Sequence, residues 1–262
     1  MKPLARFAIP VVKARELIAE LRIEDPSEIE IDLIAAHLGV MVQETEMVGS
    51  DGRMMRIDGA ARISVRKDIK FPGQKRFVIA HELGHVLLHP KLRQIDELSL
   101  SQASNWSLNQ EPEEIEANLF AAEILMPKSL FLPRIQGREP GFALFNELAG
   151  EFGTTVTAVA IQFIRYTREE CVLIASRKGQ RAWFHTSEAF SFRLRDEMEI
   201  HEFTCAHELE SEGKNTVRGD DVPAGSWLKG YSTTDNMECV TEDAIWSARF
   251  GALSLVWIKD DI

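Results

Sequence analysis

Between Phe77 and His89 the chain reads Phe-Val-Ile-Ala-His-Glu-Leu-Gly-His-Val-Leu-Leu-His, an HExxH motif set into an otherwise apolar run. So many apolar side chains must be buried. The run reads as a helix that carries His81, Glu82 and His85. On a helix, residues four apart lie one turn apart on the same face. The spacing thus aims the His81 and His85 imidazoles at one point, where two neutral rings can hold one zinc ion. Glu82, between them, is placed to act as a general base toward a water at that ion. Gly84 lies inside this helix at a cost of about 1 kcal/mol relative to alanine, which points to a close helix or strand neighbour.

A tetrahedral catalytic zinc takes three protein ligands. The segment Glu113-Glu114-Ile115-Glu116-Ala117-Asn118 opens a second helix that Pro112 starts and Met126-Pro127 stops, with small residues at Ala117, Ala121 and Ala122. Glu114 is the first choice for the third ligand. Asn118 falls one turn further on the same face, positioned to bond the far nitrogen of a ligand histidine. Glu116, roughly 200° round the helix from Glu114, is the second choice, and Glu113, at about 100°, ranks lower. His89 follows His85 at the same spacing, but Pro90 ends the helix there, so His89 reads as a support to the site or as a surface residue.

The motif order extends beyond these two helices. Phe77–His89, then Glu114-Ile-Glu-Ala-Asn-Leu-Phe-Ala-Ala-Glu-Ile-Leu-Met-Pro127, then Leu148-Ala-Gly-Glu-Phe-Gly-Thr-Thr-Val-Thr-Ala158 together resemble the ImmA/IrrE family of bacterial metallopeptidases, over about residues 10 to 165. The resemblance implies an α+β fold with a thermolysin-like minimal metallopeptidase core. It implies zinc ligands at His81, His85 and Glu114, with Glu82 as base and Asn118 supporting the ligands. It also implies cleavage of a helix-turn-helix repressor in a stress, DNA-damage or anti-phage response. Single-stranded DNA or a small ligand would be the activator. A His₂Glu set does not by itself exclude manganese. The competing expectations are a non-proteolytic DNA-binding regulator with a structural zinc site, and a metal-dependent hydrolase of a non-peptide substrate.

The remaining chain gives the organisation. Val11–Leu21 and Ile29–Leu38 carry apolar stripes of helical period, the second ending at Gly39. Val40–Glu44 alternates as a strand, and Met54–Ile57 with Ala60–Val65 reads as a hairpin about Asp58-Gly59. Ala60–Val65 is a candidate sheet edge for adding a substrate strand. Asp96 to Glu111 reads as a polar loop. Phe145–Phe163, with a turn at Gly153, reads as helix-turn-helix. After Cys171 the character changes to strand-like runs, Val172–Ser176 and Leu253–Ile258, separated by long polar segments. We expect residues 1–138 as the peptidase core, 139–169 as a helix-turn-helix-like segment, and 170–262 as a mixed α/β, GAF-like regulatory domain.

Composition bounds the partners. The 262 residues carry a formal net charge of −11, which argues against a surface coated for nucleic acid. The local basic cluster Arg62, Arg66, Lys67, Lys70, Lys75 and Arg76 reads as a solvated face, and its three arginines are candidates for stabilising an oxyanion. Three cysteines, Cys171, Cys205 and Cys239, do not make a secreted disulfide framework. His201, Cys205 and His207 fit no familiar zinc spacing. No apolar run approaches the ~20 residues of a membrane span. A cytoplasmic protein with no membrane partner is expected.

Overall fold

The structure, a computed structural model, describes residues 3–57, 59–90, 94–98, 111–213, 215–233 and 238–259. Among these it is a mixed α/β chain of eight α-helices and two sheets. Two units divide it. One comprises Met1–Arg134 with Leu148–Ala158, the other Ile135–Glu147 with Val159–Ile262.

The first unit begins with α1 (Pro3–Glu20) and a 3-10 turn at Pro26–Glu28. That turn is held by a reciprocal cap. The Asp25 side chain accepts from Ser27 N at 2.9 Å, and the Glu28 carboxylate accepts from Asp25 N at 3.1 Å. Next come α2 (Ile31–His37), β1 (Met41–Thr45), β2 (Gly52–Ile57) and β3 (Ala60–Arg66). The HExxH helix is α3 (Pro72–Leu88), with proline in its first turn where no backbone donor is lost. Strand β4 (Gln94–Leu98) replaces the start of the expected polar loop, and the rest of that loop, 99–110, lies outside the described residues. Helix α4 (Pro112–Leu125) packs on both α3 and α1, and α5 (Lys128–Ile135) follows it without having been expected.

The sheet order is β1-β3-β2-β4, with β1 parallel to β3 and the other pairs antiparallel. The expectation that Ala60–Val65 forms an edge is therefore corrected. β3 is bonded on both sides, and β1 and β4 are the outer strands. The strand period explains what faces the helix. Gly52, Met54 and Arg56 of β2 stand opposite Val65, Ile63 and Ala61 of β3, and these lie on the face that α3 covers. Arg62 and Arg66, one residue out of phase, lie on the other face. Met54, Ile63, Val65 and Leu83 are fully buried between sheet and helix.

Helices α6 (Phe142–Phe152) and α7 (Val156–Tyr166) meet at a tight turn where Gly153 takes a φ of +59°. The second unit is built on β5 (Cys171–Arg177), β6 (Gln180–Thr186), β7 (Thr216–Pro223), β8 (Cys239–Ser247) and β9 (Gly251–Trp257), all antiparallel in the order β6-β5-β9-β8-β7. The two strands seen in the sequence, β5 and β9, are central and buried along nearly their whole length, so they read as continuous apolar runs. Strand β6 is an outer strand with one exposed face. Lys178 and Gly179, both at positive φ, turn β5 into it. Helix α8 (Cys205–Glu212) starts at the Thr204 cap and ends at left-handed Gly213. Its apolar side, Ala206 and Leu209, joins Val172, Ile174, Trp227 and Val256 in one core.

Beneath α8 sits Glu242 of β8, fully buried. Its carboxylate accepts from Cys205 N at 2.9 Å, Ala206 N at 3.0 Å, Trp227 Nε1 at 2.8 Å and Ser254 Oγ at 2.6 Å. Burial lifts its pKa above the usual carboxylate value, and the four donors oppose that lift.

Candidate metal centre

Helices α3 and α4 approach closely because Gly84 has no side chain. A Cβ built there would stand 3.0 Å from the Ala117 Cα and 3.3 Å from its Cβ. That approach brings His81, His85 and Glu114 together. The two Nε2 atoms lie 2.9 Å apart, and each is 3.3 Å from an oxygen of Glu114. Four ligands at bonds of about 2.0–2.2 Å in a tetrahedron would be spaced roughly 3.3–3.6 Å apart. In this triangle of two imidazole nitrogens and a carboxylate the two 3.3 Å edges match that spacing, the 2.9 Å edge between the imidazoles is shorter, and the donor chemistry suits a small divalent ion. Among the described residues it is the group of His, Cys, Asp and Glu side chains that can hold one.

Both histidines are buried, His81 at 2% and His85 at 0% exposure. Burial lowers the pKa of His85, which keeps the ring neutral and its lone pair available. Burial alone would raise Glu114. Contact with the two imidazole nitrogens outweighs it and holds the carboxyl well below the usual carboxylate range. Each ring is fixed from behind. His81 Nδ1 bonds Asn118 Oδ1 at 2.9 Å, and His85 Nδ1 bonds His89 Nδ1 at 3.0 Å. His89 Nε2 in turn meets Glu116 Oε2 at 2.9 Å. Glu116, the second choice for the third ligand, thus faces His89 and leaves the triangle to Glu114. His89 is buried beside the site, with no role at the surface.

Glu82 is 2% exposed, and its Oε2 has no hydrogen-bond partner among the described residues. The Met54 N–H reaches its carboxylate, while burial and the nearby Glu114 carboxylate push its pKa up to about 8. Gly52 makes room for it. A Cβ there would fall 2.5 Å from Val78 Cγ1 and 2.9 Å from Glu82 Oε1. The glycine at the start of β2 is thus a space requirement that the sequence did not announce.

Residues 35–163 match the family profile described as the IrrE N-terminal-like domain. This stretch is an ImmA/IrrE-family metallopeptidase domain. The IrrE-like segment contains α3, α4 and every residue of the triangle. No curated protein matches the chain. Among solved structures, a transcriptional regulator of Mycobacterium tuberculosis superposes with a TM-score of 0.60 at 16% identity, covering 95% of this chain and 76% of that one. At that identity the likeness is one of fold.

Other sequence candidates resolve differently. Arg66 pairs with Asp51 and Asp68, Lys75 with Glu44, and Arg76 donates to Ile29 O at 2.7 Å. Half of the basic cluster is therefore engaged within its own unit. As oxyanion candidates, Arg62 and Arg66 lie on the sheet face away from α3, and Arg76 is committed to Ile29. His201 accepts from Phe203 N at 3.3 Å, and Cys205 Sγ turns inward to Glu242 O at 3.5 Å, so the His201–Cys205–His207 set does not converge. The three cysteines form no disulfide. No helix among the described residues is long and apolar enough to cross a membrane.

Proposed function

We propose that the IrrE-like domain is a zinc-dependent endopeptidase that cleaves a specific regulatory protein, a helix-turn-helix transcriptional repressor. The observation that carries the reading is Glu82, a buried carboxylate with an unpartnered oxygen beside two imidazoles and a third ligand. A structural metal site needs no such base. In this reading His81, His85 and Glu114 hold the ion, which when bound would polarise the scissile carbonyl and acidify water. Glu82 accepts a proton from the attacking water and passes it to the departing amine nitrogen as the C–N bond breaks. A carboxyl group that burial lifts to about 8 lies within about a unit of neutral pH, which suits both transfers. Asn118 keeps His81 oriented.

The second unit, an antiparallel sheet backed by α8, is read as a GAF-like regulatory domain that gates cleavage on a stress signal, with single-stranded DNA or a small ligand as activator. The alternative is a non-proteolytic DNA-binding regulator with a structural zinc site, and the neighbour described as a transcriptional regulator is compatible with a regulatory role. Glu82 opposes that alternative. The test is to incubate the full chain, loaded with zinc, with the repressor encoded beside its gene, with and without single-stranded DNA. Wild type should cut the repressor, and Glu82→Gln should bind zinc equally and leave the repressor intact. Cleavage by the Gln variant would refute the mechanism. No cleavage by wild type under any activator would refute the substrate assignment.

A further inference from the structure

His89 and Glu116 belong to none of the steps above, yet both are buried and both lie on one chain of contacts. That chain runs from His85 Nδ1 to His89 Nδ1 at 3.0 Å and from His89 Nε2 to Glu116 Oε2 at 2.9 Å. We propose that His89 and Glu116 are positioning residues that select the tautomer of His85 and lock its ring toward the metal. The inference rests on the reading of His85 as a ligand.

The argument is one of donors and acceptors. An ionised carboxylate only accepts. With Glu116 as the acceptor, the hydrogen of a neutral His89 lies on Nε2, which leaves His89 Nδ1 with a lone pair. Only one proton can lie between two facing ring nitrogens, so His85 must carry its hydrogen on Nδ1. Its Nε2 lone pair then points at His81 Nε2, 2.9 Å away, and at Glu114 Oε1, 3.3 Å away. With the opposite tautomer, His85 would present an N–H to the ion. His81 reaches the same result in one bond, through Asn118. The two ligands are thus oriented from α4 by separate means, one direct and one through a second imidazole.

The geometry makes a specific demand on position 89. Only an acceptor placed where Nδ1 now lies will serve. An asparagine Oδ1 can occupy that place, and a phenylalanine ring fills the volume without accepting.

The experiment uses the full chain, with ring-¹⁵N histidine, in wild type, His89→Phe, His89→Asn and Glu116→Leu. Two quantities are read. Long-range ¹⁵N–¹H NMR of the metal-free protein reports the His85 tautomer. Competition with a chromophoric chelator reports zinc affinity. Wild-type His85 should carry its proton on Nδ1. His89→Phe and Glu116→Leu should mix the tautomers and weaken zinc roughly 10- to 100-fold, the range found when the outer partner of a ligand is lost. His89→Asn should recover most of the affinity and the single tautomer. Equal loss in the Phe and Asn variants, or an unchanged His85 tautomer in both the Phe and Leu variants, would overturn the proposal. If His89→Phe does not fold, the Glu116→Leu spectrum decides. If wild type binds no zinc, the ligand reading fails, and the tautomer readout still judges the chain of contacts by itself.

Discussion

Replacing Gly84 with alanine adds one methyl group at the closest approach of α3 and α4. In an unobstructed helix interior that change stabilises by about 1 kcal/mol. Here the new carbon would sit 3.0 Å from the Ala117 Cα and 3.3 Å from both its Cβ and its carbonyl oxygen. These are backbone atoms and a methyl, with no rotamer that moves aside. Overpacking of this kind costs about 1–3 kcal/mol, so the net effect should be destabilisation by about 1 kcal/mol. Relief requires the helices to part by a few tenths of an ångström. That motion carries Glu114 away from imidazoles only 3.3 Å from it, so zinc affinity should fall several-fold as well. Gly150 in α6 supplies the control, because a Cβ there meets nothing within 4 Å. Urea denaturation with and without zinc measures both quantities, since the shift on adding zinc reports binding to the native state. Gly150→Ala should stabilise and Gly84→Ala should not. A Gly84→Ala protein that is stabilised by about 1 kcal/mol and binds zinc normally would refute the packing argument.

Gly52→Ala presses on Val78 and on the Glu82 carboxylate. The flexible Glu82 should yield first, so repressor cleavage should drop by roughly 10²-fold or more with zinc affinity kept, the scale of a displaced general base. Glu242→Leu strips the shared acceptor from Cys205 N, Ala206 N, Trp227 Nε1 and Ser254 Oγ. At about 1–3 kcal/mol for each buried donor left unpaired, the second unit should become protease-sensitive under native conditions, while resistance like that of wild type would contradict the assignment. Burial pushes the Cys171 thiol up to about 12, so at pH 8 it stays protonated, and the buried Cys205 is sheltered as well. Iodoacetamide should label the half-exposed Cys239 first in the folded protein, as mass spectrometry would show.

Much of the first unit was legible because its signals are local. Helical spacing placed His81 and His85 on one face, Pro72 and Pro112 marked the helix starts, and the hairpin at Gly59 followed from turn chemistry. Glu114 and Asn118 could be paired by a helix wheel. The same wheel puts Glu116 about 200° away from Glu114, so its link to His89 was hidden. That link depends on where the last residue of α3 leaves the helix. Strand order was hidden too, because β3 is central only through the parallel pairing of β1, a contact between distant residues. In the second unit only β5 and β9 showed, since both their faces are covered. Strand β6 alternates weakly, and strands β7 and β8 carry acids such as Asp221, Glu242 and Asp243 that mask an apolar pattern. Glu242 looks like a surface residue until α8 is laid over it.

The triangle at the centre joins residues far apart along the chain, with 28 positions between His85 and Glu114. An ion held there would act as a removable crosslink that closes this loop, with a chain-entropy effect of about 3–4 kcal/mol if it behaved like a covalent link. On the proposed reading, the ion that would equip the chain for hydrolysis would also set how long it survives. A cell short of the metal would hold a protein both inactive and easier to unfold, and metal supply would govern its abundance together with its activity.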